Sequence, residues 1–99
     1  MPSIGDMTTE TTYPRVCTVE VLPQKRLLVT FSNGVRKVYD CKPLLVEEAF
    51  APLRDEALFR CVVADAHGYG VVWSDEIDLA ESELWTNGIE VEQPLAARR

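Results

Sequence analysis

Three short alternating runs, separated by two turn signals, fill residues 15–40 and constrain the fold more than any other feature of the chain. The first, "RVCTVEVLP" (15–23), places Cys17, Val19 and Val21 on one face and Val16, Thr18 and Glu20 on the other, the period of a half-buried strand. Pro23 ends it, and Gln24-Lys25 form the turn. "RLLVTF" (26–31) repeats the pattern, with Leu27, Val29 and Phe31 on one face. Asn33-Gly34 follows. A two-residue type I′ hairpin needs positive φ at both central positions, which Asn and Gly tolerate best. "VRKVYD" (35–40) is then the third strand of an antiparallel meander.

The middle loses this alternation. "CKPLLVEEAFAPLRDEALFRC" has helical spacing punctuated by Pro43 and Pro52. It predicts one helical turn near residues 44–48 and another over 55–60, capped by Asp55. Leu53, Leu58 and Phe59 are expected on the sheet. "CVVAD" (61–65) and "YGVVW" (69–73) read as strands around the turn at residues 66–68, with a short extension at 77–79. A final helix is expected over 81–86. Glu81 and Glu83 suit the positive end of its dipole, Ala80 is a poor cap before it, and Asn87-Gly88 would end it in a left-handed conformation. The fold class is α+β: an N-terminal three-stranded antiparallel meander, short central helices, further antiparallel strands and a short C-terminal helix.

A chain of 99 residues is one domain. Residues 1–12 are polar and aperiodic and are expected as a disordered leader, residues 13–88 as the domain, and residues 89–99 as a loose tail in which Ile89 and Val91 could add an edge strand. No apolar run approaches the roughly 20 residues that span a bilayer. The start has neither a basic nor an apolar signal region, so the expected location is the cytoplasm. Cys17, Cys41 and Cys61 lack metal-ligand spacing and are expected to be buried, reduced and structural.

The net charge of −6 is unevenly spread. Acids and bases balance through residue 60. After it, the only bases are Arg98 and Arg99. Such a segment repels phosphate backbones, so neither nucleic acid nor membrane is an expected partner, whereas a basic protein surface is.

Residues 73–79, "WSDEIDL", concentrate Asp75, Glu76 and Asp78 beside Trp73. Three carboxylates raise the question of a cation site or an acid–base pair. A cation loop turns sharply around its ion, usually on a glycine, and no glycine stands inside the cluster. If Ile77 and Leu79 face the core, Asp78 faces solvent. A turn followed by a solvated strand edge is the favoured reading, with no metal and no cofactor. His67 lies in a turn and has no nucleophile signalled beside it. "HGYGVVW" lacks the spacing of a phosphate loop, and its second glycine reads as a close backbone approach at a strand start. Trp73 and Trp85 have acidic neighbours, which suits core or protein-interface packing rather than base stacking.

Taken together, "YPRVCTVEVLPQKRLLVTFSNG", "VYDCKPLL", the Leu53, Asp55 and Phe59 segment, and "GYGVVWSDEIDLAESELWTNG" resemble a small bacterial domain-of-unknown-function family, the one numbered twenty-four forty-two. Trp73, Asp75, Ile77, Asp78 and Leu79 carry its most recognisable stretch. The resemblance covers residues 13–88 and implies a compact α+β domain. It implies no established activity, cofactor or catalytic residue. Some members resemble the front of a longer protein with a helix-turn-helix domain behind, for which this chain leaves no room after its core. Others stand beside a second small protein, in an arrangement suggestive of toxin–antitoxin pairs.

The expectation is therefore a non-enzymatic interaction module, in an antitoxin-like role, using Trp73, Asp75, Glu76, Asp78 and Trp85 against a basic partner. Two alternatives stand beside it. One is a ligand, metal or catalytic site built from Asp75, Asp78 and His67. The other is a homodimeric structural module formed through an unpaired strand edge.

Overall fold

The computed structural model describes residues 13–91; the expected leader (1–12) and the end of the expected tail (92–99) lie outside the described residues. Strands β1 (Val16–Leu22), β2 (Arg26–Phe31) and β3 (Arg36–Asp40) form the expected meander. Strand β7 (Ile89–Glu90) adds to the free side of β3, giving the order β1-β2-β3-β7. A second antiparallel sheet holds β4 (Val63–Ala64), β5 (Gly70–Ser74) and β6 (Ile77–Ala80). Between the sheets in sequence come two 3-10 helices, Lys42–Val46 and Glu48–Arg54, and the single turn α1 (Glu56–Phe59). Helix α2 (Glu81–Asn87) links β6 to β7. Pro43 stands in the first turn of the first 3-10 helix, and Pro52, inside the second, withholds an amide donor there. Asp55 caps α1 as expected, its Oδ1 accepting the Ala57 N–H at 3.1 Å.

In β1 the simple alternation fails. Val16 stands opposite Phe31 and Thr18 opposite Thr30, so Cys17 is an extra, bulged residue. The bulge resets the period. Val16, Val19 and Val21 face Phe31, Val29 and Leu27, and Cys17 turns out to solvent. Cys61 is also exposed and only Cys41 is buried, which corrects the expectation of three core cysteines.

The two hairpin turns exchange the roles assigned to them. Gln24 and Lys25 adopt left-handed φ values of 67° and 58° although neither is glycine. Such residues cost about 1–3 kcal/mol each and persist where the surroundings fix them. Here the Lys25 carbonyl accepts the Cys41 N–H at 2.9 Å, and the Gln24 carbonyl accepts from Lys42 Nζ at 3.1 Å. Lys25 Nζ also donates to Glu56 at 2.6 Å. At Asn33-Gly34 only Gly34 has positive φ, at 88°. Its N–H donates to Phe31 and the Phe31 N–H to Val35, so the connection is a three-residue loop with a left-handed glycine rather than a type I′ turn. Asn33 contributes its side chain instead, Oδ1 accepting the Val35 N–H at 3.0 Å.

One core joins both sheets. Leu27, Val29 and Phe31 from β2, Leu53, Phe59, Val71 and Leu84 are all essentially inaccessible. Trp73 closes it from β5, its indole N–H donating to the Phe59 carbonyl at 3.0 Å and its ring lying 5.9 Å from that of Phe59. Ala80 gives α2 no side-chain cap, as its sequence implied. Gly88 is extended (φ −77°, ψ 157°), not left-handed, because the chain runs straight from α2 into β7. Glycine is needed there for space: a Cβ would lie 2.6 Å from the Leu84 oxygen and 3.0 Å from Lys37 Cβ.

Candidate functional site

The residues of "WSDEIDL" divide between two environments. Ile77 and Leu79 are buried and Asp78 is exposed, as alternation required. Asp75 and Glu76 form the β5–β6 turn, where Ser74 Oγ accepts the Glu76 N–H at 3.2 Å. Ser74 pairs with Ile77 and Val72 with Asp78, so Trp73 is the extra residue of a bulge. The indole stays on the inner face it shares with Val71, and Trp73 is only 7% exposed. Its surface is spent on the core.

The outer face of the three-stranded sheet contains what the sequence reading missed. Val63, Val72 and Asp78 form one row across β4, β5 and β6. Val63 and Tyr69 are exposed despite being large and apolar. Asp65, Tyr69, Val72 and Asp78 border a shallow dent of about 40 Å³. Apolar surface and carboxylates thus meet on one sheet face, continued at one end by Asp75 and Glu76. A sequence signal existed: once Val71 and Trp73 point inward, Val72 and its cross-strand neighbour Val63 must point outward.

The carboxylates of this face form no ion pair among the described residues. Among the described residues the ion pairs are Lys25–Glu56, Lys42–Asp40 and Arg60–Glu56. None uses a carboxylate beyond residue 60. One cation touches the face without pairing with its carboxylates: the Arg15 guanidinium lies 4.5 Å over the Tyr69 ring and donates to the His67 carbonyl at 2.8 Å.

His67 does not join Asp75 or Asp78 through any hydrogen bond or ion pair among the described residues. Its ring lies beside Tyr69, with centroids 5.8 Å apart. Its backbone N–H donates to Asp65 Oδ2 at 2.8 Å, and the Tyr69 N–H donates to the same oxygen at 3.2 Å. Among the described residues no group of three or more His, Cys, Asp or Glu side chains is placed to hold a metal ion. No described helix is long and apolar enough to cross a membrane. Trp85 lies on the other sheet, half-buried, edge-on to Phe31 at 5.0 Å and under Lys37 Nζ at 3.9 Å. It is therefore separate from the acidic strand end with which the sequence grouped it.

Several titrating groups are fixed by the fold. Burial, with the Asp40 charge second, pushes the Cys41 thiol up to about 12, leaving it unreactive near neutrality. Burial and the 2.7 Å hydrogen bond to Glu83 also raise Tyr39. Asp65 is lowered by the Tyr69 and His67 amides, Asp40 chiefly by the Lys42 amide and Glu56 chiefly by the Lys25 ammonium. A carboxyl whose pKa is lower in the folded state binds fewer protons there than in the unfolded chain. Its stabilisation is complete above the ordinary aspartate value of 3.8 and is lost as pH falls through the lowered one. Thermal melts between about pH 2 and 5 should show the melting temperature dropping with acid. The drop should be shallower in Asp65→Asn, which keeps an acceptor but cannot titrate.

The match to known sequences agrees with this architecture. A family described as "Protein of unknown function (DUF2442)" matches residues 16–90, from the first residue of β1 to the last of β7. The chain belongs to that family. Comparisons with curated proteins and with solved structures give no match. In this member of DUF2442, the stretch around Asp75 and Asp78 serves the fold through Trp73, Ile77 and Leu79, and presents its carboxylates to solvent.

Proposed function

We propose that the chain is a non-enzymatic interaction module, and that the outer face of its three-stranded sheet docks a basic protein. The observation that carries this reading is the unpaired acidic rim formed by Asp65, Asp75, Glu76 and Asp78 around the exposed Val63 and Tyr69. Apolar anchors inside a charged rim are what a docking patch requires. The rim speeds encounter with an oppositely charged surface, and the exclusion of water from the anchors holds the complex. A lysine- or arginine-rich face meets this chemistry, whereas a phosphate backbone is repelled. An antitoxin-like role toward another small protein is one form of the same chemistry.

This assignment moves the expected anchors. Trp73 supports the patch from beneath and Trp85 stands outside it; Tyr69 and Val63 make the contact. The test is affinity capture from host lysate, then purification of the captured protein and titration in rising salt. The expected partner is basic, binds more weakly as salt rises, and is lost with Asp75→Lys/Asp78→Lys and with Val63→Asp. A partner that binds all variants equally, or whose affinity is indifferent to salt, removes the patch from the interaction.

A further inference from the structure

The outer face of the four-stranded sheet is complementary to itself. Strand register aligns Glu20, Leu28, Val38 and Ile89 in one row across β1, β2, β3 and β7. The opposite face carries Leu27, Val29, Phe31 and Tyr39 into the core, so this row points away from it. Leu28 and Val38 are only half-buried, and Ile89 is 74% exposed although it is paired in a strand. Arg36 and Asp40 stand on the same strand and the same face, two residues to either side of Val38. Arg36 has no ion-pair partner among the described residues. At the Asp40 end lies a cavity of about 500 Å³, walled by Val38, Pro43, Leu44 and Ile89 and carrying Arg26 beside the carboxylates of Asp40 and Glu83.

We propose that this face is the interface of a homodimer, with a twofold axis along the Leu28–Val38–Ile89 row. That axis seats the apolar row on its own copy. It also exchanges the two ends of β3, so Arg36 of each chain enters the Asp40 end of the other. A twofold interface needs opposite charges at symmetric distances from its axis, and Arg36 and Asp40 meet that condition about Val38. The arginine stem fits the aliphatic walls, and its guanidinium meets two carboxylates. Lys42 Nζ, 3.1 Å from Asp40 within the chain, and Arg26, its cross-strand neighbour on β2, compete for that carboxylate. Four strands about 4.8 Å apart and five residues of about 3.3 Å cover roughly 300 Å² in plan, well short of the roughly 800 Å² per partner of a standard interface. The dimer is therefore weak and depends on concentration.

Sedimentation of the full chain from about 10 µM to about 1 mM tests it, a range that brackets weak association. The wild type should pass from monomer to dimer. Ile89→Asp should stay monomeric while keeping the wild-type circular dichroism spectrum, since that side chain is 74% exposed and lies outside the core. Arg36→Asp alone and Asp40→Arg alone should each weaken self-association at least tenfold. An equimolar mixture of those two variants should form a heterodimer, because both cross-axis contacts then pair Asp with Arg. A wild type that stays monomeric throughout overturns the proposal. So does a dimer that survives Ile89→Asp, or one whose charge variants fail to rescue each other.

Discussion

Gly70→Ala should leave the chain unable to reach its native fold. Gly70 opens β5 at φ 152°, opposite Ala80. A Cβ there would lie 2.0 Å from the Leu79 carbonyl oxygen and 3.0 Å from Ala80 Cα. Both contacts are backbone, so no side chain can swing aside. Relief requires parting β5 from β6, which would carry Val71, Trp73 and Leu79 out of the core. The expected loss exceeds about 4 kcal/mol, against the roughly 5–15 kcal/mol that holds a domain together. Gly34→Ala is the control. Its φ is also positive, at 88°, but a Cβ there meets nothing within 4 Å. Only the left-handed backbone penalty remains, about 1–2 kcal/mol. Circular dichroism and urea titration of the two variants should therefore diverge widely. Equal destabilisation would mean that the close β5–β6 approach is not what demands glycine at position 70.

Phe59→Ala should be the most damaging of the side-chain truncations at the junction of the two sheets. The ring is fully buried, packs against Trp73, and has Lys25 Nζ 5.3 Å from its centroid. Removing it opens a cavity beside an indole whose own N–H is bonded to the backbone of residue 59. Large-to-small changes of this kind cost about 3–5 kcal/mol. Urea unfolding should show the midpoint falling at nearly constant slope, with Trp73 fluorescence shifted to the red as water reaches it. A loss below about 1 kcal/mol would show that the core closes without this ring.

The sequence was most legible where alternation and turn chemistry act locally. The meander, the Asp55 cap and the inward Ile77 and Leu79 all follow from period and capping rules. Errors arose where one residue breaks a local rule. Cys17 looked like a core residue because a bulge cannot be seen in a run of alternating residues. Trp73 keeps the inward direction that alternation with Val71 gives it, and the second bulge shifts only the pairing beyond it. The left-handed pair Gln24-Lys25 has no propensity to announce it, since it is held by Cys41, Lys42 and Glu56 from distant parts of the chain. Gly88 was read by its commonest use at a helix end, whereas contact with Lys37 decides it.

The candidate surface was only half legible for the same reason. Carboxylates in a short run are visible in sequence, but their apolar companions come from β4 and from the start of β5. Val63 joins Asp78 only through the strand pairing of the second sheet. Trp85 looked like part of the same patch by nearness in sequence, yet α2 carries it to the first sheet and onto Phe31.

The most direct measurement is the partner's dissociation constant for two charge-reversed chains at low and moderate salt. One carries Asp75→Lys/Asp78→Lys on the proposed patch; the other carries Glu47→Lys/Glu48→Lys at exposed positions near the 3-10 helices. Both change the net charge equally. The predicted result is loss of binding for the first and near-wild-type binding for the second, with the wild-type affinity falling as salt rises. Equal weakening of both would show that total charge, not the outer face of the three-stranded sheet, governs the interaction, and would contradict the account.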